Sequence, residues 1–134
     1  MIAKHIFLVD AHAASRSSIA EALSRAGYKV STSDDGEHAL MSIIMAPRNR
    51  EKSIDLLICA HEMPGLTGLE LIDQLRMRGI IPPVIIMPES EDEGINPDLL
   101  REGCAVYFKK SNSIHQMLEQ IGELLDQQSA DALA

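Results

Sequence analysis

The chain has 134 residues, 46% apolar and 24% charged, the make-up of an ordinary globular domain with a single core. Its formal charge of −8 argues against a general phosphate-backbone binder, so no direct nucleic-acid contact is expected of this domain. No apolar run approaches the length that crosses a bilayer. Two cysteines, Cys59 and Cys104, lie in apolar surroundings without metal-type spacing, which predicts a reduced, cytoplasmic protein. Met1-Ile2-Ala3-Lys4 leads straight into a strand and leaves no room for a signal-peptide apolar region.

His5 to Val9 is a compact apolar run ending at Asp10, the pattern of a buried strand. Ser15 to Ala26 is predicted helical, with Ile19, Leu23 and Ala26 at helical spacing and Gly27 as the stop. Tyr28 to Thr32 alternates and reads as a strand nearer the sheet edge. Asp34-Asp35-Gly36 is a turn, and Glu37 to Ala46 a helix with Leu40, Ile43 and Ile44 inward, ended by Pro47. Leu56 to Ala60 is unbroken apolar sequence if Cys59 counts as a small hydrophobe, so both faces of that strand need cover. Met63-Pro64-Gly65 then turns the chain into a helix from Gly68 to Arg78, capped by Thr67 with Glu70 completing a capping box. Val84 to Met87 is a further apolar strand and Glu89 to Gly94 an acidic loop. A short helix is expected between Asn96-Pro97 and Gly103, then a fifth strand over Ala105 to Phe108. Ile114, Met117, Leu118, Ile121, Leu124 and Leu125 form one stripe on a last helix. The methionines at 41, 45, 63, 77, 87 and 117 read mostly as core gap-fillers.

Five strands alternating with five helices predict an α/β, flavodoxin-like (βα)5 fold, a doubly wound parallel sheet of strand order 2-1-3-4-5. Residues 1–126 form the domain, and 127–134 a polar tail or the start of a linker. In such sheets chemistry sits beyond the C-terminal ends of the strands, which directs attention to Ala60 and its neighbours.

Over about its first 125 residues the chain resembles the receiver domain of bacterial two-component response regulators. The resemblance rests on Leu8-Val9-Asp10 with Arg16 six residues on, Glu37-His38-Ala39-Leu40, Asp55-Leu56-Leu57 and the run Met63-Pro64-Gly65-Leu66-Thr67-Gly68-Leu69-Glu70-Leu71. Pro83-Val84-Ile85-Ile86-Met87, Gly103-Cys104-Ala105 and Tyr107-Phe108-Lys109-Lys110 extend it in the same order. The resemblance implies a phosphoryl acceptor aspartate at the end of the third strand, acidic residues after the first strand holding Mg²⁺, a hydroxyl after the fourth and a lysine after the fifth. Here the acceptor position is Ala60, the acidic pair is Asp10-Ala11, the hydroxyl position is Pro88 and the next residue is Glu89, whereas Lys110 remains. Tyr107 takes the switch aromatic position, and Pro97 with the acidic loop before it alters the face through which receivers often dock.

These departures predict a phosphorylation-independent receiver that acts as a protein-interaction module in signalling, not as an enzyme, with Mg²⁺ binding lost or weak and no other cofactor or metal. Its partner would be a signalling protein, an output domain following the tail, or a second copy in a homodimer, with no membrane contact. Asp10 is expected to pair with Lys110. For Glu62 and Glu89 two readings stand: one carboxylate reaches Lys110 in place of the phosphoryl group, or both are solvated. His12, His61, Asp10, Glu62 and Glu89 share one sheet edge, where a metal-sensing or ligand-sensing switch is the alternative function. A true phospho-acceptor carrying engineered substitutions is a third reading. Cys59 is expected to be inert packing and not a nucleophile.

Overall fold

The computed structural model describes residues 3–45, 54–80, 82–87, 105–107 and 113–133. Its elements run β1 (His5–Val9), α1 (Ala13–Arg25), β2 (Lys29–Ser33), α2 (Gly36–Met45), β3 (Leu56–Ala60), α3 (Gly68–Met77), β4 (Val84–Met87), β5 (Ala105–Tyr107) and α4 (Ile114–Leu133). Among the described residues the sheet has five strands in the order β2-β1-β3-β4-β5, as expected, and every pairing is parallel.

β1, β3 and β4 are buried along their whole length, which is why they are written as unbroken apolar runs. Side-chain alternation splits them between two cores. Phe7, Val9, Leu57, Cys59, Val84 and Ile86 face α2 and α3. Ile6, Leu8, Leu56, Ile58, Ile85 and Met87 face α1 and α4, which contribute Ile19, Leu23, Met117, Ile121 and Leu125. β2 lies at the edge, and its half-exposed residues alternate in sequence accordingly.

Several boundaries move for identifiable reasons. α1 begins at Ala13, not Ser15, because Arg16 N–H already donates to His12 O at 2.9 Å. Two alanines carry no apolar periodicity but are strong helix formers. Ala26 is exposed at the C-cap instead of joining the Ile19 and Leu23 stripe. β2 starts one residue later than predicted because Tyr28 N–H closes α1, donating to Leu23 O at 3.2 Å, while Gly27 N–H donates to Ser24 O at 3.1 Å. Gly27 holds φ at 98°, the left-handed conformation this closure needs.

α2 starts at Gly36, within the predicted turn, because Asp35 Oδ1 accepts from Glu37 N–H at 2.8 Å and His38 N–H at 3.1 Å. Of its expected inward residues Ile43 is buried, Leu40 and Ile44 are half-buried, and Ala39 is also buried. α3 ends at Met77, leaving Arg78 as its C-cap. α4 continues through Leu133, so the stretch read as a polar tail is helical to that residue; it contains neither Pro nor Gly to stop it.

The methionine expectation is corrected. Met87 and Met117 are buried, but Met41, Met45 and Met77 are 53%, 73% and 78% exposed. Each lies two positions from a buried residue (Ile43 or Leu75), which on a helix places it on the opposite face. The predicted helix between Asn96 and Gly103 lies outside the described residues, as does Phe108 of the fifth strand.

Candidate functional site

The strand register brings the C-terminal ends of β2, β1, β3 and β4 level to within a residue. Val9 is opposite both Ser33 and Cys59, and Ala60 is opposite Met87. Asp10 extends the ladder, its N–H donating to Ser33 O at 3.0 Å, and His61 N–H donates to Met87 O at 3.1 Å. The alternation that points Leu8 and Ile58 toward α1 places the side chains of Asp10 and Ala60 side by side on that face.

Asp10 is fully buried. Its Oδ1 accepts from the His12 N–H at 3.0 Å and lies 3.5 Å from His12 Nδ1. Its Oδ2 accepts from the Ser15 hydroxyl at 2.5 Å. Arg16 anchors the same residue from the backbone side, its guanidinium donating to Asp10 O at 2.8 Å. Ala11 is half-buried and Ala60 fully buried; both present a methyl group.

The loop between β3 and α3 is held at both ends. Thr67 caps α3 through a capping box, Thr67 Oγ1 accepting from Glu70 N–H at 3.2 Å and Glu70 Oε1 from Thr67 N–H at 3.0 Å. Such a cap contributes about 1 kcal/mol. Gly68 N–H donates to His61 O at 3.0 Å, and α3 begins so close to β3 that a Cβ on Gly68 would lie 2.6 Å from Ala60 O. On the α2 side, Pro64 O accepts from Gly36 N–H at 2.9 Å. Gly65 has φ at 84°, and a Cβ there would meet Asp35 Oδ1 at 2.7 Å. The loop is therefore wedged against the residue that caps α2.

Of the positions singled out in the sequence, the structure brings together Asp10, Ala11, Ala60 and His12. Glu62 is exposed, with Oε1 3.6 Å from His61 Nδ1. Tyr107 ends β5, where its backbone pairs with Ile86. Pro88, Glu89 and Lys110 lie outside the described residues, and with them the expected Asp10–Lys110 pair and any contact of Glu62 or Glu89 with Lys110. No group of three or more His, Cys, Asp or Glu placed to hold a metal ion occurs among the described residues. Sequence reasoning missed Ser15 and Asp35. In the sequence Ser15 marks only a helix start, and its spacing of five from Asp10 acquires meaning through the three-residue connection between β1 and α1. Asp35 directly before a helix is the usual capping signal, hidden here by the turn-like Asp-Asp-Gly.

Cys59 is buried beneath Gly68, whose Cβ position is 3.3 Å from the sulfur. Burial pushes its thiol up to about 12 from the ordinary 9.0. At pH 8 iodoacetamide is expected to leave Cys59 unmodified in the native protein and to alkylate it readily in urea, read by peptide mass spectrometry. A protein-wide consequence has the matching sign. The folded state holds this proton more tightly, so the thiol's contribution to stability is complete below about pH 9 and is lost as pH rises toward about 12.

A cavity of about 470 Å³ lies elsewhere, between α1 and α4, lined by Ser18, Glu21, Ala22, Arg25, Ala26 and Leu118. Arg25 already pairs with Glu21 there at 2.6 Å. No helix among the described residues is long and apolar enough to cross a membrane.

Residues 6–122 match the sequence pattern of the response regulator receiver domain. The response regulator MprA of Mycobacterium leprae (strain TN) is 32% identical over 129 residues, which cover 96% of this chain and 54% of that protein. The DNA-binding transcriptional regulator NtrC of Salmonella typhimurium is 28% identical over 111 residues, covering 83% of this chain and 22% of that one. The chain thus spans about half the length of MprA. Among solved structures, the receiver domain of the Francisella response regulator 1452 superposes with a TM-score of 0.80 at 22% identity, covering 93% of this chain and 98% of that one. The Vibrio cholerae chemotaxis protein CheY4 gives 0.73 at 23% identity, covering 91% and 98%. At these identities the superpositions speak for the fold alone.

Proposed function

Because this chain belongs to the response regulator receiver domain family, we propose that it is a receiver whose output is set by protein contacts and not by phosphorylation at β3. The observation that carries this reading is Ala60. It is the last residue of β3, fully buried, where the family resemblance expects the acceptor aspartate. A methyl group offers no nucleophilic oxygen to a phosphoryl donor.

The neighbouring positions support it. Mg²⁺ wants near-octahedral oxygen ligation, usually with one or two carboxylates. At the described positions Ala11 and Ala60 supply no side-chain oxygen, Glu62 is exposed, and the buried carboxylate, Asp10, has both oxygens engaged in hydrogen bonds. These residues fit Mg²⁺ poorly. The loop's fixed attachments to α2 and α3 suit a domain that presents one conformation to a partner. That partner is a protein: a signalling protein, an output domain or a second copy of the chain.

The test is incubation of the purified chain with acetyl phosphate and Mg²⁺, followed by intact-mass measurement. The expected result is no phosphoryl adduct above background. A base-labile, hydroxylamine-sensitive adduct on an aspartate of the wild-type chain would overturn the reading.

A further inference from the structure

We propose that Ser15 locks Asp10 into service as the clamp of α1, and that its hydroxyl competes with any divalent cation for the same carboxylate. This rests on the reading that the pocket works without phosphorylation, and it names the residue that keeps a surviving family acid away from a metal.

The N-cap of α1, His12, makes no side-chain capping bond, and the first turn of α1 holds no acidic residue. The usual devices for the helix's orphan N–H groups and positive dipole end are therefore missing. Asp10 takes up part of this role from two residues upstream. Its Oδ1 accepts the His12 N–H at 3.0 Å, and its carboxyl group sits buried at the start of the helix. Ser15, in the first turn of α1, completes the clamp by donating to Oδ2 at 2.5 Å.

The Ser15 oxygen thereby stands in the shell that a directly bound Mg²⁺, at about 2.1 Å, would need. A charge-assisted hydrogen bond of this kind must be given up before Oδ2 can ligate a cation. A role limited to helix stability would alter unfolding alone; competition for the oxygen also alters cation affinity.

The experiment uses Mn²⁺ as probe, followed by water-proton relaxation, in a chain carrying Ala11→Asp. That substitution restores an acidic neighbour at a half-buried position. Adding Ser15→Ala is expected to tighten Mn²⁺ binding by about tenfold or more, the loss of one charge-assisted hydrogen bond as competitor. Adding Ser15→Thr, which keeps a hydroxyl, is expected to leave the affinity within about twofold. Should the alanine variant not fold, Ser15→Cys, a weaker donor, is expected to move affinity in the same direction. Equal or weaker binding without the hydroxyl, or no detectable Mn²⁺ in any of these chains, overturns the proposal. Acetyl phosphate labelling of the wild-type chain would instead defeat the underlying reading and leave the Ser15 comparison standing.

Discussion

The Ala60→Asp variant is expected to be less stable than the wild-type chain by about 3 kcal/mol at pH 7, with the deficit shrinking as pH falls. Ala60 is fully buried, and β1–β3 pairing ends on Val9 opposite Cys59, so the next rung sets the new carboxylate beside the carboxylate of Asp10. Desolvation and the like charge both disfavour ionisation, so the folded pKa of the introduced group would rise above its unfolded value of about 3.9. The sign follows from linkage. The penalty is absent below the unfolded pKa and grows as pH rises through the folded one. Urea midpoints of wild type, Ala60→Asp and Ala60→Asn at pH 4.5 and 7 separate the terms. The asparagine variant carries the steric and polar cost without the charge. If the two variants lose the same stability at both pH values, the electrostatic account fails. Even where Ala60→Asp folds, acetyl phosphate labelling is expected to stay at background, because Ala11 and Pro88 leave the rest of the family apparatus incomplete.

Gly68→Ala is expected to cost about 2 kcal/mol, although alanine is ordinarily the better helix residue. The added methyl would lie 2.6 Å from Ala60 O and 3.3 Å from Cys59 Sγ. The nearer atom is backbone at the C-terminal end of the central strand β3, so relief requires α3 to shift away from β3 against the Gly68 N–H bond to His61 O. Gly122→Ala in α4 is the matched control, since a Cβ there meets nothing within 4 Å. It is expected to be neutral or stabilising by up to about 1 kcal/mol. Chemical denaturation of both variants checks the contrast. A Gly68→Ala midpoint equal to that of wild type would mean that the close approach of α3 to β3 is not energetically significant.

The two glycines also show where sequence reasoning stops. Gly68 and Gly122 are both helical glycines in the sequence, and only the distance from α3 to β3 distinguishes them. The methionines are a different case: Met41, Met45 and Met77 each lie two positions from Ile43 or Leu75, so the helical period already sets them on the outer face. Thr67 and Glu70, by contrast, were legible because a capping box is closed within four residues.

What the sequence by itself determined is therefore whatever depends on local period and near-neighbour bonding. That covers the apolar runs of β1, β3 and β4, the strand order implied by repeated βα units, the Thr67 cap, the Gly27 stop and the methyl group at Ala60. What only the tertiary structure decided is how groups from different elements meet. It set Asp10 beside Ala60, closed Ser15 and the His12 amide onto the Asp10 carboxylate, and wedged Gly65 against Asp35. The physical reason is that hydrogen bonds and close contacts act over a few ångströms, and the chain brings those atoms within reach only after the strands have paired in register and the helices have packed onto them.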